Sequence, residues 1–211
     1  MRIPVLRVIL LVALGLGLVG YFAPWVAHKA AALVLVGQDM AEFVKFLPEV
    51  RAGELHVLRQ LYYLPLLAGG VGLLFAAANR RLGFPWPVRW LMVVLAVPVS
   101  LSMLPPAWTP RLMLQPEFRL QSAAIAVCLL LAGLNALLRR VSPILLEWVA
   151  AFLALVAAAV PPWQFLRLRP ALDSVYGRPI DLGWGVWLTP LGFGVLAVAL
   201  MVPTIARWRA G

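Results

Sequence analysis

The sequence predicts an all-α fold, a polytopic bundle of about six transmembrane helices with a short amphipathic helix in the first outer loop. Three observations lead to this prediction. The chain of 211 residues is 64% hydrophobic and 12% charged, against roughly 25% charged residues in a typical soluble domain. The apolar residues form long runs separated by short polar loops, which is the pattern of membrane spans. One set of ends of these runs carries basic residues with almost no acid, and the alternate ends carry nearly all of the acids.

Six apolar stretches are each close to the ~20 residues that a helix needs to cross a bilayer. We expect the spans at about 8–27, 56–78, 87–104, 120–138, 143–160 and 183–206, together forming a single integral membrane domain over 1–211. The first stretch follows two arginines, as in a signal peptide. It continues without a clean polar boundary, however, so we expect an uncleaved first span.

Charge fixes the expected orientation of the spans. Nine of the 18 basic residues lie at one set of span ends: Arg2, Arg7, Arg80, Arg81, Arg89, Arg139, Arg140, Arg207 and Arg209. Seven of the eight acids lie at the opposite ends. Because cytoplasmic loops of membrane proteins are enriched in lysine and arginine, both termini are expected in the cytoplasm.

The net charge of +10 could suggest a nucleic-acid partner. The basic residues lie in short clusters at span ends, however, and the sequence has no nucleic-acid motif. We therefore expect the lipid bilayer, and in a complex other membrane subunits, as partners, and no nucleic acid.

Each outward-going span ends in proline followed by tryptophan. The three sites are Pro24-Trp25, Pro105 to Trp108, and Pro161-Pro162-Trp163. Proline ends a helix where its lost hydrogen bond can be solvated, and tryptophan favours the headgroup level. The pattern predicts that these spans end at the prolines.

The first outer loop contains a short helical pattern. Asp39 and Glu42 have the spacing of a capping box, with the aspartate in the N-cap position. The apolar residues that follow form one stripe, at Met40, Phe43, Val44 and Leu47. Such a helix either lies on the lipid surface or caps the bundle, or else it serves as a lid or a docking helix.

Four polar residues near the outer interface form the candidate binding site: Asp39, Glu42, His56 and Arg59. His56 and Arg59 are three residues apart and would share a helical face. They could bind an anion, a quinone headgroup or a metal. Alternatively, Arg59 pairs with Glu54 or a loop carboxylate. No metal-ligand spacing involves the two histidines, so we expect neither metal nor cofactor.

Glu147 is the only acid inside a span. It could act as a proton relay, because a carboxylate at membrane depth is costly without a task or a partner. Its position four residues after Pro143 instead favours a structural role. There it would lie near the positive end of the helix and pair with an arginine such as Arg139 or Arg140.

The fifth span also carries a row of small residues, Ala150, Ala154 and Ala158, which would let another helix approach closely. The lone cysteine, Cys128, lies in an apolar span and is expected to behave as a small hydrophobe.

The sequence lacks the motifs of the common catalytic folds, including GxSxG, HExxH, the P-loop and the Rossmann fingerprint. The leading hypothesis is a nonenzymatic accessory or scaffolding subunit of a membrane complex. The alternative is a small permease or lipid-handling transporter, since Pro65, Pro98 and Pro190 interrupt spans. A third hypothesis, an enzyme using the outer polar residues, requires at least three of those four to converge on one pocket.

The segment Asp39-Met40-Ala41-Glu42-Phe43, followed by Pro48 and Arg51, resembles a pattern in uncharacterised multi-pass bacterial membrane proteins. That pattern is Asp-Leu-Ala-Glu-Trp followed by a proline, and the chain departs from it at Met40 and Phe43. The resemblance covers only the first outer loop. It implies the bacterial cytoplasmic (inner) membrane and no particular activity.

Overall fold

The computed structural model describes residues 3–28 and 33–208, without the side chains of 203–208. Arg2, Arg209 and the side chain of Arg207 therefore lie outside the described residues. The α-helices in these ranges are α1 (Ile3–Phe22), α2 (Gly37–Phe43), α3 (Pro48–Arg51), α4 (Leu64–Ala78), α5 (Trp86–Leu101), α6 (Pro110–Met113), α7 (Arg119–Gly133), α8 (Asn135–Leu138), α9 (Pro143–Tyr176) and α10 (Gly185–Trp208). Short 3-10 segments lie at Val44–Phe46, Arg59–Tyr63 and Pro116–Phe118.

The six main helices, α1, α4, α5, α7, α9 and α10, run alternately between two ends of a bundle. At the end that holds the start of α1, Arg7 donates a hydrogen bond to the carbonyl of Leu82 in the α4–α5 turn. At the opposite end, Gln121 near the start of α7 donates to the carbonyl of Met103 just after α5. We call these the terminal end and the cap end. The expected helical bundle is confirmed.

In the part of the chain that the structure describes, five helical stretches are long and apolar enough to cross a membrane, namely Ile3–Phe22, Arg59–Ala78, Pro116–Gly133, Pro143–Tyr176 and Gly185–Val202. The third expected span, 87–104, corresponds to α5, which has 16 residues and is therefore only ~24 Å long. The fourth, 120–138, is interrupted at Leu134 between α7 and α8. Six crossings thus remain a prediction that depends on α5.

The prediction that the helix of the fifth span stops at Pro161 is wrong. Helix α9 has 34 residues, ends at Tyr176 and is capped by Gly177, whose φ of 63° is the left-handed conformation that suits glycine. Both Pro161 and Pro162 are buried. Proline is tolerated inside a helix where packing neighbours compensate for the lost hydrogen bonds. The expected outer loop over 161–182 is therefore mostly helical.

The first span ends earlier than expected, at Phe22, and is followed by a small sheet that the sequence analysis did not predict. Strand β1 (Pro24–Ala27) lies between β2 (Leu35–Val36) and β3 (Asp181–Leu182), and both pairs are antiparallel. The register pairs Val26 with Leu35 on one side and with Leu182 on the other. This sheet connects the chain after α1 to the chain after α9.

We define the cap as residues 23–28 and 33–63, β3, and the part of α9 after Pro162. Its core surrounds Trp25, which is fully buried. This tryptophan therefore contacts protein on all sides, whereas its proline-tryptophan signal predicted a side chain among lipid headgroups. The Trp25 ring packs edge-on against Phe165, with ring centroids 5.4 Å apart, and against Tyr62 at 6.2 Å. These aromatic contacts hold the two segments that flank the first outer loop against α9 just beyond Pro162.

Below the cap, α1 and α10 pack backbone against backbone. A Cβ placed on Gly192 would lie 2.1 Å from the backbone nitrogen of Gly17, and one on Gly20 would lie 2.4 Å from the backbone nitrogen of Thr189. Only glycine permits this approach. In α9, Ala150 and Ala154 of the predicted small-residue row are buried, so that row does face neighbouring helices.

Candidate functional site

Helix α2 carries the acids of the predicted outer site. Its apolar side and the 3-10 turn that follows it are buried against the bundle, with Met40, Val44 and Leu47 each no more than 1% exposed. The helix therefore caps the bundle. It begins earlier than predicted, with Val36 at the N-cap, so Asp39 occupies the third helical position. There its carboxylate accepts a hydrogen bond of 3.2 Å from the Val36 amide.

Arg59 lies at the centre of the site. It is 6% exposed and donates to Glu42 Oε1 at 2.7 Å. It also contacts Glu117 twice, through the carboxylate and through the backbone carbonyl, each at 3.2 Å. Its guanidinium carbon lies 4.6 Å from the centroid of the Phe118 ring. Planar charge-assisted contacts of this kind are those for which arginine is better suited than lysine.

Lys45 completes the cluster. Its ammonium lies 2.5 Å from Glu42 and 3.3 Å from Glu117, and the Tyr63 hydroxyl donates to Glu42 at 3.4 Å. We call Glu42, Lys45, Arg59 and Glu117 the cap ion cluster. It contains two acids and two bases, so its formal charges cancel. The cluster joins α2, the start of α4 and the segment before α7.

Two residues of the predicted site do not join this cluster. Asp39 is exposed and serves the helix start, as described above. His56 is exposed in an extended segment before the 3-10 turn at Arg59. The shared helical face of His56 and Arg59 was predicted wrongly because the helix begins at residue 59 and not at 56. The expected pairing of Arg59 with a loop carboxylate is present, with Glu42 and Glu117 in place of Glu54.

A cavity of about 230 Å³ opens beside α2, lined in part by Asp39, Glu42, Gln38 and Tyr63. Two of the four predicted site residues therefore reach one cavity, fewer than the three that an enzyme hypothesis requires. Gln38 uses its side-chain amide to donate to the Ser102 carbonyl at 2.8 Å. The arrangement ties the cap to the end of α5.

Glu147 lies at the terminal end and is 7% exposed. It accepts a hydrogen bond of 3.0 Å from the Asn79 side chain and lies 3.7 Å from an Arg81 guanidinium nitrogen. An arginine partner was expected, but from the segment before α9 and not from the α4–α5 turn. A cavity of about 30 Å³, the size of one water, lies beside this carboxylate. The remainder of its lining is apolar except for Asn79.

Sequence reasoning missed Glu117 and Lys45 as members of the cluster. Lys45 follows Glu42 by three residues, a spacing that allows an ion pair on one helix face, and this signal could have been used. Glu117 is 58 residues away from Arg59 in the chain, and no local pattern connects them. Within the described residues, no three histidine, cysteine or acidic side chains lie close enough to hold a metal ion.

No protein-family model matches the chain, and comparisons with curated proteins and with solved structures gave no significant match.

Proposed function

We propose that the protein is a nonenzymatic accessory or scaffolding subunit of a complex in the bacterial cytoplasmic membrane. The observation that carries this proposal is the cap ion cluster. Its central arginine is buried and already paired with both carboxylates. A charged group used in this way stabilises the position of the cap and leaves little capacity for a substrate.

Charge distribution supports an orientation with both termini in the cytoplasm. The terminal end carries Arg7, Arg80, Arg81, Arg89, Arg139 and Arg140 with one acid, Glu147, whereas the basic residues of the cap end are accompanied by seven of the eight acids. An excess of basic residues in short loops is typical of the cytoplasmic side. The cap would then project on the outer side.

The length of α9 supports a scaffolding role. At 1.5 Å per residue, its 34 residues span ~51 Å, whereas the hydrocarbon core is ~30 Å thick. If the helix enters at Pro143, Trp163 reaches the outer headgroup level, and this tryptophan is exposed. The remaining turns extend ~20 Å further and expose Leu166 and Val175. A rigid cap with such a projecting helix suits the docking of a second membrane subunit.

The proposal can be tested by extracting the protein from its native membrane in polymer-bounded lipid discs. We expect one complex in which the 23.1 kDa chain is joined by a second polypeptide at fixed stoichiometry. A photo-crosslinking residue at Leu166 or Val175 should give an adduct with that polypeptide, whereas one at the buried Ala154 should give none. Discs that contain the chain alone, without adducts at either exposed position, would refute the proposal.

The water-sized cavity beside Glu147 favours a second candidate, a small permease or lipid-handling transporter. In that case the carboxylate would contact the cargo, and Pro98 within α5 would allow the helix to bend. Flux of protons or small ions through proteoliposomes should then fall when Glu147 is replaced by Gln. Equal flux in the wild type, the variant and empty vesicles would exclude this candidate.

A further inference from the structure

A groove at the terminal end lies between α5 and the break between α7 and α8. Its volume is about 310 Å³. It is lined on one side by Trp86, Arg89 and Trp90 of α5, and on the other by Gly133, Asn135 and Arg139. It belongs neither to the cap ion cluster nor to the Glu147 cavity.

The helix break at Leu134 shapes this groove. Helix α7 stops at Gly133, and Leu134 leaves the helical conformation with φ −94° and ψ 14°. Asn135 then fixes the next turn by donating to the Leu74 carbonyl at 2.9 Å. A Cβ on Gly133 would meet nothing within 4 Å, so the groove remains open on this side.

The polar groups of the groove are suited to an anion. Arg89 and Arg139 supply two positive charges, and no acid lines the groove. The Nε of Arg89 is buried, and among the described residues it has no hydrogen-bond partner. A buried donor without a partner is costly, whereas a phosphate oxygen would accept from it and pair with the guanidinium.

The rest of the groove is suited to a lipid. Trp86 and Trp90 stand edge to face, with ring centroids 6.2 Å apart, and both are exposed, as is typical of tryptophan at the headgroup level. One helical turn deeper, Val94 and Leu130 are also exposed and can contact an acyl chain. Basic pockets between transmembrane helices on the cytoplasmic side are known to bind anionic lipid headgroups.

We infer that this groove binds the phosphate of an anionic phospholipid from the cytoplasmic leaflet. The headgroup phosphate lies between Arg89 and Arg139, and the acyl chains run along α5 and α7. This inference depends on the membrane orientation and not on the scaffolding role. It therefore stands if the chain proves to have no partner subunit.

Native mass spectrometry of the full chain in detergent tests the site. The probes are phosphatidylglycerol, zwitterionic phosphatidylcholine and inorganic phosphate. We expect one phosphatidylglycerol to be retained, with affinity at least on the order of tenfold above phosphatidylcholine, because each basic residue contributes to headgroup binding. Arg89→Gln combined with Arg139→Gln should remove this preference.

Two variants serve as controls. Arg140→Gln removes an exposed arginine next to Arg139 that does not line the groove, and should leave the preference unchanged. The single variant Arg89→Lys should retain part of the preference for phosphatidylglycerol, because the positive charge at position 89 remains. Phosphatidylglycerol should also raise the melting temperature of the wild type but not of the double variant, which separates loss of the site from loss of folding.

Three results would overturn the inference. They are equal retention of the two lipids by the wild type, an equal loss in Arg140→Gln and the double variant, or displacement of the lipid by millimolar inorganic phosphate. The last result would assign the groove to a free anion.

Discussion

Replacement of Arg59 by Met should release the cap from the bundle. Arg59 contacts Glu42 and Glu117 as a buried charge, and hydrogen bonds to charged groups contribute roughly 1.5–3 kcal/mol each. Lys45 still neutralises Glu42 in the variant, and the Glu117 side chain is 48% exposed. The loss of the two contacts should therefore cost less than the sum of their individual free energies. We expect a loss of about 3 kcal/mol in the free energy of opening α2, which is the lower limit for removing one partner of a buried ion pair.

Hydrogen exchange of the α2 amides measures this opening free energy directly. Since about 1.4 kcal/mol corresponds to a tenfold change, the amides of residues 40–44 should exchange on the order of 100-fold faster in Arg59→Met. Lys45→Gln is the matched control, because it removes a partly exposed member of the same cluster. Partly exposed pairs contribute roughly 0.2–1 kcal/mol, so exchange should rise less than about fivefold. Exchange that is unchanged in Arg59→Met, or that rises more in Lys45→Gln, would refute the role of Arg59.

Two further predictions concern the bundle. Gly192→Ala should lower the free energy of unfolding by about 3 kcal/mol, because the added methyl meets the backbone of α1 and overpacking of this kind costs roughly 1–3 kcal/mol or more. Gly15→Ala is the control, because its new Cβ meets nothing within 4 Å. It should change the free energy of unfolding by less than about 1 kcal/mol. Thermal or denaturant unfolding in detergent measures both, and equal effects would contradict the close packing of α1 and α10. Asn79→Leu should cost roughly 1.5–3 kcal/mol by removing a donor to a buried carboxylate. Glu147→Gln should cost only about 1 kcal/mol, since it retains an acceptor and loses a pair with a partly exposed arginine. The reverse order would mean that the charge of Glu147 matters more than its hydrogen bond.

The helical bundle could be predicted because each long hydrophobic run is continuous in the sequence. Such a run can be recognised without knowledge of the tertiary structure. The amphipathic helix of the first outer loop was also predictable. Of its predicted apolar stripe, Met40, Val44 and Leu47 are buried and Phe43 is half-buried. The exact start of this helix was not predictable, because Asp39 can serve a helix at the N-cap or at the third helical position. Which of the two it occupies depends on the strand pairing of Val36.

The proline-tryptophan signals failed where tertiary packing overrode a local rule. Pro161 and Pro162 would end an isolated helix. In the folded chain, α9 continues because Phe165 and Leu168 are buried in the core of the cap. Trp25 enters the same core, and its indole donates to the Gly20 carbonyl at 3.2 Å. Neither contact has a signature in the surrounding sequence.

The candidate site was predicted in part. Glu42 and Arg59 were identified from their polarity in an apolar context, and the structure brings them within 2.7 Å. Glu117 was missed because its position beside Arg59 depends on how α7 packs against α4. His56 does not join these residues, since the helix was expected to begin at residue 56 and instead begins at residue 59. Such boundaries are the least certain part of reading a sequence.

The central claim is that the six main helices cross the membrane alternately, including the short α5. Two variants, Arg80→Cys and Arg111→Cys, each made in a Cys128→Ala background, test this claim most directly because the two positions lie on opposite sides of α5. We predict that a membrane-impermeant maleimide labels the cysteine at 111 in intact cells, and labels the one at 80 only after the membrane is opened. Equal labelling of both positions in intact cells would contradict the account, because α5 would then not cross.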